Sequence, residues 1–177
     1  MRYAALLRAV NLGPHGKISM PDLRALVTGL GYRDVRTVAN SGNVVFSGDE
    51  KRAAELESEL EQALAGKLDL RTDVMVRDVD GLAELVAANP FPEAAERDPG
   101  HLLVMFLKAA PEPAAVEALR GAIAGREAVQ AEGPHLYVTY PDGIGRSKLT
   151  NQVIESKLGT RGTGRNWNTV LKLRALA

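Results

Sequence analysis

The sequence predicts an α+β protein of two ferredoxin-like (split βαβ) units with antiparallel sheets, the second of which ends in two helices. Hydrophobic periodicity over residues 3–76 gives the element order strand, helix, strand, strand, helix, strand, which is the split βαβ arrangement. The order strand, helix, strand, strand recurs after residue 100. Prolines and a glycine over residues 89–100 interrupt both periodicities. We therefore predict an N-terminal unit over residues 1–90 and a C-terminal unit with a basic helical tail over residues 100–177.

The first unit opens with an apolar run over residues 3–10, which is typical of a buried strand. Ser19 followed by Pro21 and Asp22 is typical of a helix N-terminus, and Gly31 ends the helical spacing that follows. The other predicted elements are a hairpin of strands over residues 35–38 and 44–46, a helix over residues 52–64 that ends at Gly66, and a strand over residues 70–76.

A short predicted helix over residues 82–88 precedes the boundary, and the second unit follows it. Its predicted elements are a strand over residues 102–107, a helix over 113–123, a hairpin of strands over 129–131 and 135–140, and two final helices over 149–158 and 167–176. These two helices stand where a ferredoxin-like unit would have one helix and one strand. Trp167 and Leu171 lie one turn apart with Val170 beside them, so Trp167 should be largely buried and anchor the last helix.

Composition indicates a globular cytoplasmic protein without a membrane span. The 177 residues are 45% hydrophobic and 25% charged, which is ordinary for a soluble domain. Cysteine is absent, which excludes disulfides and thiolate metal sites and is compatible with a reducing cytoplasm. The apolar run near the N-terminus is cut by Arg8 after five residues, so it is too short for a signal peptide or a membrane helix.

Positive charge is concentrated at the C-terminal end of the chain. Residues 144–177 contain seven Lys or Arg residues and one Glu, although the whole chain has 22 basic and 22 acidic residues. The tail therefore carries a charge of +6, and the preceding part carries −6. Arginines beside glycines, whose backbone N–H groups can approach a ligand closely, are what an anion site requires.

A set of polar residues occupies positions where packing does not require them. The candidate anion-binding residues are Arg8, Asn11, Ser41 and Asn43 in the first unit and Arg146, Ser147, Lys148, Arg165, Asn166 and Asn168 in the second. We predict a cleft between the units, with Arg8 and Asn11 on one wall and Arg146, Lys148, Arg165 and Asn166 on the other. The alternatives are that Arg8 is an edge residue, that the asparagines supply turns and helix caps, and that the set holds the units together without a ligand.

No motif in the chain identifies a reaction, a metal or a cofactor. His15, His101 and His135 are far apart and show no helical pairing, so no metal site is predicted. The chain has no Gly-x-Ser-x-Gly nucleophile elbow, no complete P-loop and no three-glycine dinucleotide fingerprint. Catalytic residues, a cofactor and an oligomeric state therefore do not follow from the sequence.

Several short motifs resemble one bacterial family. They are the loop Leu-Arg-Ala-Val-Asn-Leu-Gly over residues 7–13, the turn Ser-Gly-Asn-Val-Val-Phe over residues 41–46, Ser-Lys-Leu over residues 147–149, and Thr-Gly-Arg-Asn-Trp-Asn-Thr-Val over residues 163–170. In this order they are similar to the family known as domain of unknown function 1697, over the whole chain. The resemblance implies an α+β architecture of two ferredoxin-like parts, and it implies no activity, substrate or cofactor.

Three functions are consistent with these observations. The first is a binding module that holds a phosphate-bearing ligand, either nucleic acid or a nucleotide-like metabolite, on the basic C-terminal surface, because phosphate contacts need only donors and positive charge. The second is an enzyme acting on a small anionic substrate in the interdomain cleft, with the cations as electrostatic stabilisers. The third is a protein-interaction domain without a ligand.

Overall fold

The chain forms two four-stranded antiparallel sheets, each combined with helices. A computed structural model describes residues 1–8 and 18–177. Contacts divide the chain into two units, one formed by residues 1–84 with 172–177 and the other by residues 85–171. Each sheet has the strand order and connections of a ferredoxin-like unit, which confirms the predicted fold class.

The first unit has β1 at the centre of its sheet. Its elements are β1 (Arg2–Leu7), α1 (Met20–Gly29), β2 (Arg33–Thr37), β3 (Asn43–Ser47), α2 (Ala53–Leu68) and β4 (Val74–Asp78), followed by α3 (Val79–Ala87). The strand order is β2-β3-β1-β4, so β1 pairs with both β3 and β4. Helices α1 and α2 pack on one face, where alternate residues of β1, among them Ala5 and Leu7, enter the core.

The start of α1 follows from its predicted capping residue. Ser19 has an extended backbone, and its Oγ accepts a hydrogen bond from the Asp22 backbone N–H at 3.1 Å. Pro21 occupies the first turn, where its missing N–H costs no helical hydrogen bond. The helix N-terminus predicted from the sequence is therefore confirmed.

Helix α2 is longer than the sequence predicts, and β4 begins later. The predicted helix ends at Gly66, but α2 continues to Leu68 and stops at Asp69, which has a left-handed backbone with φ of 50°. A glycine inside a helix costs about 1 kcal/mol, which the burial of residues such as Leu64 offsets. The strand β4 accordingly begins only at Val74.

The edge strand β4 has its outward N–H groups bonded to α2. The Oε1 atom of Glu57 accepts a hydrogen bond from Val76 N–H at 2.9 Å, and Oε1 of Glu61 accepts one from Val74 N–H at 2.9 Å. The two glutamates lie one helical turn apart, so both reach the same strand. These N–H groups are therefore not available to pair with a strand of another molecule, which protects the edge of the sheet from association.

The second unit repeats the arrangement of the first and adds helices at both ends. Its elements are α4 (Pro92–Arg97), a 3₁₀ turn (Pro99–His101), β5 (Leu102–Leu107), α5 (Pro113–Ala122), β6 (Ala128–Glu132), β7 (His135–Thr139), α6 (Asn151–Leu158), β8 (Gly162–Asn166) and the first half of α7 (Trp167–Leu176), whose residues from 172 onward belong to the first unit. The strand order is β6-β7-β5-β8. Helices α5 and α6 pack on one face of this sheet, over a core that includes Met105 and Leu136.

The strand β8 lies between the two final helices and is not predicted by the sequence. Two of its residues, Gly162 and Gly164, are glycines, which are unfavourable in strands. At Gly162 a Cβ would lie 2.7 Å from Leu107 Cδ2 and 2.9 Å from the Phe106 carbonyl oxygen, so the close approach of β5 requires glycine. The strand completes the ferredoxin-like order, and the two predicted helices flank it.

Trp167 is buried, as the sequence predicts, but Leu171 does not share its buried face. Trp167 is 5% exposed, whereas Leu171 is 42% exposed. Val170 and Leu173 are fully buried, so the buried face of α7 recurs at every third residue. Residues three and four positions away both lie near Trp167, and spacing alone did not distinguish Val170 from Leu171.

Candidate functional site

A pocket of about 290 Å³ lies in the second unit, beside the loop that joins β7 to α6. Its wall is formed by residues 122–125 at the end of α5, by Glu127 just before β6, by residues of the segment 142–149, and by Val153 of α6. We call residues 142–149 the basic loop. All the described lining residues belong to the second unit.

The floor of the pocket is continuous with the hydrophobic core of this unit. Leu149 is buried in that core, and Ile123 and Val153 pack against it. Small-molecule sites are mostly apolar, with a few polar groups that fix the ligand's orientation. These three side chains can therefore contact a ring or a carbon chain.

Arg146 and Lys148 line the pocket as exposed cations. Within residues 1–8 and 18–177, neither side chain makes an ion pair or a hydrogen bond. Charge-assisted hydrogen bonds to phosphate are among the stronger polar contacts, and arginine binds phosphate in a bidentate manner. Both cations are thus available to an anionic group that enters the pocket.

Ser147 lies between these cations in the sequence, but its hydroxyl bonds to a carboxylate. The Ser147 Oγ donates to Glu127 Oε1 at 2.6 Å and accepts a hydrogen bond from the Leu149 backbone N–H at 3.0 Å. The hydrogen bond from Ser147 lowers the pKa of the Glu127 carboxyl, so Glu127 is ionised at neutral pH. Ser147 therefore orients Glu127 and does not present its hydroxyl hydrogen to the pocket.

Asp142 is the other carboxylate of the pocket wall, and it is paired with Arg126. The Arg126 Nε donates to Asp142 Oδ2 at 3.0 Å, and a second guanidinium N–H donates to Asp142 Oδ1. The hydrogen bond from Arg126 lowers the pKa of the Asp142 carboxyl. This exposed pair contributes little to stability, but it offsets the negative charge of Asp142 beside the pocket.

Tyr140 holds both ends of the basic loop. At the start of the loop, Gly143 has φ of 90°, which favours glycine, and its N–H donates to the Tyr140 carbonyl at 3.0 Å. At the end of the loop, the Tyr140 hydroxyl donates to the Leu149 carbonyl at 2.9 Å. Tyr140 is 2% exposed, and burial raises the pKa of its hydroxyl to about 12.

We expect Tyr140→Phe to lower the free energy of unfolding by about 1 kcal/mol, because the Leu149 carbonyl loses its buried hydrogen bond. The raised pKa means that the folded state favours the neutral phenol, whose ordinary pKa is 10.0. This contribution to stability is complete below pH 10 and is lost as the pH rises toward 12. Urea unfolding of both proteins across this pH range, followed by Trp167 fluorescence, measures the effect. A stability difference that stays constant above pH 10 would contradict it.

The predicted residues Asn166 and Asn168 lie on β8 and α7, away from the pocket. Asn166 is the last residue of β8, and its Oδ1 accepts a hydrogen bond from the Thr169 N–H at 3.0 Å. It therefore caps α7, which was one of the alternatives for the asparagines. Asn168 is exposed in the first turn of that helix.

Arg165 is buried on β8, on the face of the sheet opposite to α5 and α6. It is 7% exposed and shares that face with Val104 and Tyr137. Its guanidinium donates to Thr163 Oγ1 at 2.6 Å and to the Gly164 carbonyl at 2.9 Å. Burial lowers the pKa of Arg165 to about 10, so the side chain is charged at neutral pH.

Arg165→Ala is expected to lower the free energy of unfolding by about 2 kcal/mol without any ligand, because buried hydrogen bonds are lost and a cavity is left. Urea unfolding followed by tryptophan fluorescence measures this loss. The control is Arg174→Ala, which removes an exposed arginine of α7 and should change stability by less than about 0.5 kcal/mol. Unchanged stability of Arg165→Ala with weaker phosphate binding would instead favour the ligand role predicted from the sequence.

Three of the predicted residues of the first unit are described by the structure. These are Arg8, Ser41 and Asn43, whereas Asn11 lies outside the described residues. Arg8 follows β1, and its guanidinium lies 3.9 Å from the Asp73 carboxylate. Asn43 is fully buried, and its amide donates to the Val38 carbonyl and to Ser41 Oγ, both at 2.8 Å. Both amide hydrogens of Asn43 therefore make hydrogen bonds within the hairpin. The cleft between the units stays a prediction.

Glu127 and Asp142 are pocket residues that the sequence did not indicate. Both are single carboxylates in polar stretches, where acidic side chains normally face solvent. Asp142 beside Gly143 is a local signal for a turn. No local signal near Glu127 indicates that it meets Ser147, because the two residues belong to segments on either side of a hairpin.

Over residues 1–8 and 18–177, no cluster of three or more His, Asp or Glu side chains is arranged to hold a metal ion. Over the same residues, no helix has the length and apolar character needed to span a membrane.

The fold and the pocket define an α+β protein of two ferredoxin-like units with a charged pocket in the second. Residues 1–137 match the model of the family described as protein of unknown function (DUF1697). Because this match covers more than half of the chain, the protein belongs to that family, which confirms the family that the motifs indicate; the motifs over residues 147–149 and 163–170 lie beyond the matched residues.

One similar solved structure is that of the conserved bacterial protein SP0830 from Streptococcus pneumoniae. The two chains share 22% sequence identity with a TM-score of 0.77, and the match covers 99% of this chain and 97% of that chain. This likeness shows a common fold. No curated protein matches the sequence.

Proposed function

We propose that the pocket of the second unit binds a small phosphate-bearing metabolite. The observation that carries the proposal is that Arg146 and Lys148, which make no ion pair or hydrogen bond within the described residues, line one concave pocket with an apolar floor. Phosphate is recognised by such donors, and the floor accommodates the carbon part of the ligand. The protein acts as a binding module in this proposal.

The charge balance of the pocket favours an anion. The carboxylate of Asp142 is offset by Arg126, which leaves Glu127 as the one remaining negative group among the described lining residues. Arg146 and Lys148 outnumber it, so the pocket region carries one net positive charge. A phosphate monoester placed between the two cations would be attracted at short range.

The size of the pocket favours a metabolite over nucleic acid. A volume of about 290 Å³ is at the lower end for small-molecule sites, which span roughly 300 to 1,000 Å³. Nucleic-acid affinity depends on many phosphate contacts along a track of cations. Here two neighbouring cations converge on one pocket. We therefore favour the nucleotide-like metabolite among the ligands predicted from the sequence.

Catalysis and protein interaction are the alternatives, and the pocket geometry favours neither. The hydrogen bond between Ser147 and Glu127 has the form of a nucleophile and its base, but the lowered pKa of Glu127 makes it a weak base at neutral pH.

A cytoplasmic location stays a prediction from composition.

A thermal-shift screen at low salt tests the proposed function. The probes are ribose 5-phosphate, AMP, inorganic phosphate and a short single-stranded RNA. A ligand at a hundredfold its Kd stabilises the folded state by about 2.7 kcal/mol, which corresponds to a rise in Tm of about 5 to 10 °C for a protein of this size. We expect this rise with the phosphorylated small molecules and a smaller one with RNA. No rise with any phosphate compound would contradict the proposal.

A further inference from the structure

A hydrogen bond orients the Glu127 carboxylate, and the missing side chain of a glycine leaves room for it. Its Oε1 accepts the hydrogen bond from Ser147 at 2.6 Å. Its Oε2 lies over Gly125, where a Cβ would be only 2.5 Å from that oxygen. A residue other than glycine at this position would therefore displace the carboxylate. Ser147 thus orients an ionised group on the pocket wall, in space that Gly125 leaves open.

Opposite charges line the same small pocket without pairing. Among the described residues, the Glu127 carboxylate makes no ion pair with Arg146 or with Lys148. Instead, the carboxylate accepts a hydrogen bond from the hydroxyl of Ser147, the residue between the two cations in the sequence. The pocket thus presents cationic donors and a separate anionic acceptor. A complementary ligand has an anionic group and, apart from it, hydrogen-bond donors.

We propose that Glu127 is the residue that determines ligand specificity in this pocket, by accepting hydrogen bonds from the hydroxyl groups of a phosphorylated sugar. This inference rests on the proposed function, since it assumes that Arg146 and Lys148 hold the phosphate. A carboxylate oxygen is a strong acceptor for sugar hydroxyls, as acidic residues show when they bind ribose in dinucleotide sites. The same carboxylate repels a second anionic group, so phosphorylated acids are excluded.

Two classes of ligand have these groups, namely a free sugar phosphate and a nucleotide. Both contain a phosphorylated sugar with neighbouring hydroxyls. A nucleotide adds a base, which can pack on Ile123 and Leu149 at the apolar floor. Comparison of ribose 5-phosphate with AMP distinguishes the two, because tighter binding of AMP identifies a nucleotide and equal binding identifies a free sugar phosphate.

Calorimetric titration of the full chain with four probes tests this inference. The probes are inorganic phosphate, ribose 5-phosphate, 2-deoxyribose 5-phosphate and AMP. We expect the unaltered protein to bind ribose 5-phosphate about tenfold more tightly than its deoxy analogue, since one hydrogen bond to a charged group is lost. Glu127→Gln should lose this preference, while its affinity for inorganic phosphate is unchanged or higher.

Three further variants separate positioning from folding effects. Ser147→Ala and Gly125→Ala keep the Glu127 charge but release or displace the carboxylate, so each should reduce the preference for the hydroxylated sugar. Glu132→Gln changes the same charge at an exposed position of β6 outside the pocket, and it should keep the preference.

The outcomes distinguish this inference from the proposed function. If inorganic phosphate binds but Glu127→Gln keeps the full preference for ribose 5-phosphate, the role of Glu127 is wrong and the anion site stands. The same conclusion follows if the unaltered protein binds the two sugars equally. If no phosphate compound binds, the proposed function is wrong and this inference fails with it.

Discussion

Gly162→Ala is expected to lower the free energy of unfolding by about 3 kcal/mol, the largest effect of any single substitution considered. The added Cβ would lie 2.7 Å from Leu107 Cδ2 and 2.9 Å from the Phe106 carbonyl oxygen. The carbonyl belongs to the central strand of the sheet and cannot move without disturbing its ladder, so β8 must separate from β5. Urea unfolding followed by the fluorescence of Trp167, the single tryptophan, measures the loss.

Two other glycines supply matched comparisons for this prediction. A Cβ at Gly164 would meet Leu103 Cδ2 at 2.7 Å and Met105 Sδ at 2.9 Å, which are ends of flexible side chains, so Gly164→Ala should cost only about 1 kcal/mol. Gly121 lies in α5 with open space around it, so Gly121→Ala should keep or raise stability by up to about 1 kcal/mol. Equal losses at Gly162 and Gly164 would contradict the explanation from backbone contact.

The double variant Arg146→Ala with Lys148→Ala is expected to weaken phosphate binding about a hundredfold. Each cation supplies one charge-assisted contact, and each contact contributes roughly 1.4 kcal/mol in a partly exposed site. Stability should change little, because neither side chain makes an ion pair or a hydrogen bond within the described residues. Calorimetric titration with ribose 5-phosphate measures the affinity, and urea unfolding measures the stability.

The matched control is the double variant Arg97→Ala with Lys157→Ala. It removes the same two residue types and the same charge from exposed positions of the second unit that do not line the pocket. Its affinity for ribose 5-phosphate should stay within about twofold of the unaltered protein. If both double variants lose affinity equally, the attraction comes from net charge rather than from the pocket.

The fold could largely be predicted from local patterns, and β8 shows where such patterns fail. The Ser19 cap and the order of elements in the first unit, from β1 to β4, depend on residues close together in the chain, and both were predicted correctly. The sequence Gly-Thr-Gly-Arg-Asn of β8 lacks apolar alternation, so nothing local indicates a strand. Gly162 is required by the Phe106 carbonyl and the Leu107 side chain of β5, which are distant in sequence. Tertiary packing decides this element, as it also extends α2 beyond Gly66.

The candidate site was only partly accessible to sequence reasoning, for a similar reason. The charge count of the tail was enough to select Arg146 and Lys148, and the polar Ser147 lies between them. Glu127 reaches them across a hairpin, and its hydrogen bond with Ser147 changes the role of that serine from a ligand donor to a positioning residue. Arg165 carries the same formal charge as Arg146, but β8 buries it on the face of the sheet opposite to α5 and α6. The charge of a residue can be read from the sequence, whereas its burial and the face of the sheet on which it lies depend on strand register.

The central claim is that a phosphorylated small molecule binds in the pocket of the second unit, and mapping the bound position tests it most directly. Ribose 5-phosphate can be titrated into nitrogen-15-labelled protein while backbone amide chemical shifts are recorded. We expect the largest shifts at residues 122–127 and 142–153, which form the pocket wall and the basic loop. No shifts at saturating ligand, or shifts confined to residues outside these two segments, would contradict the claim.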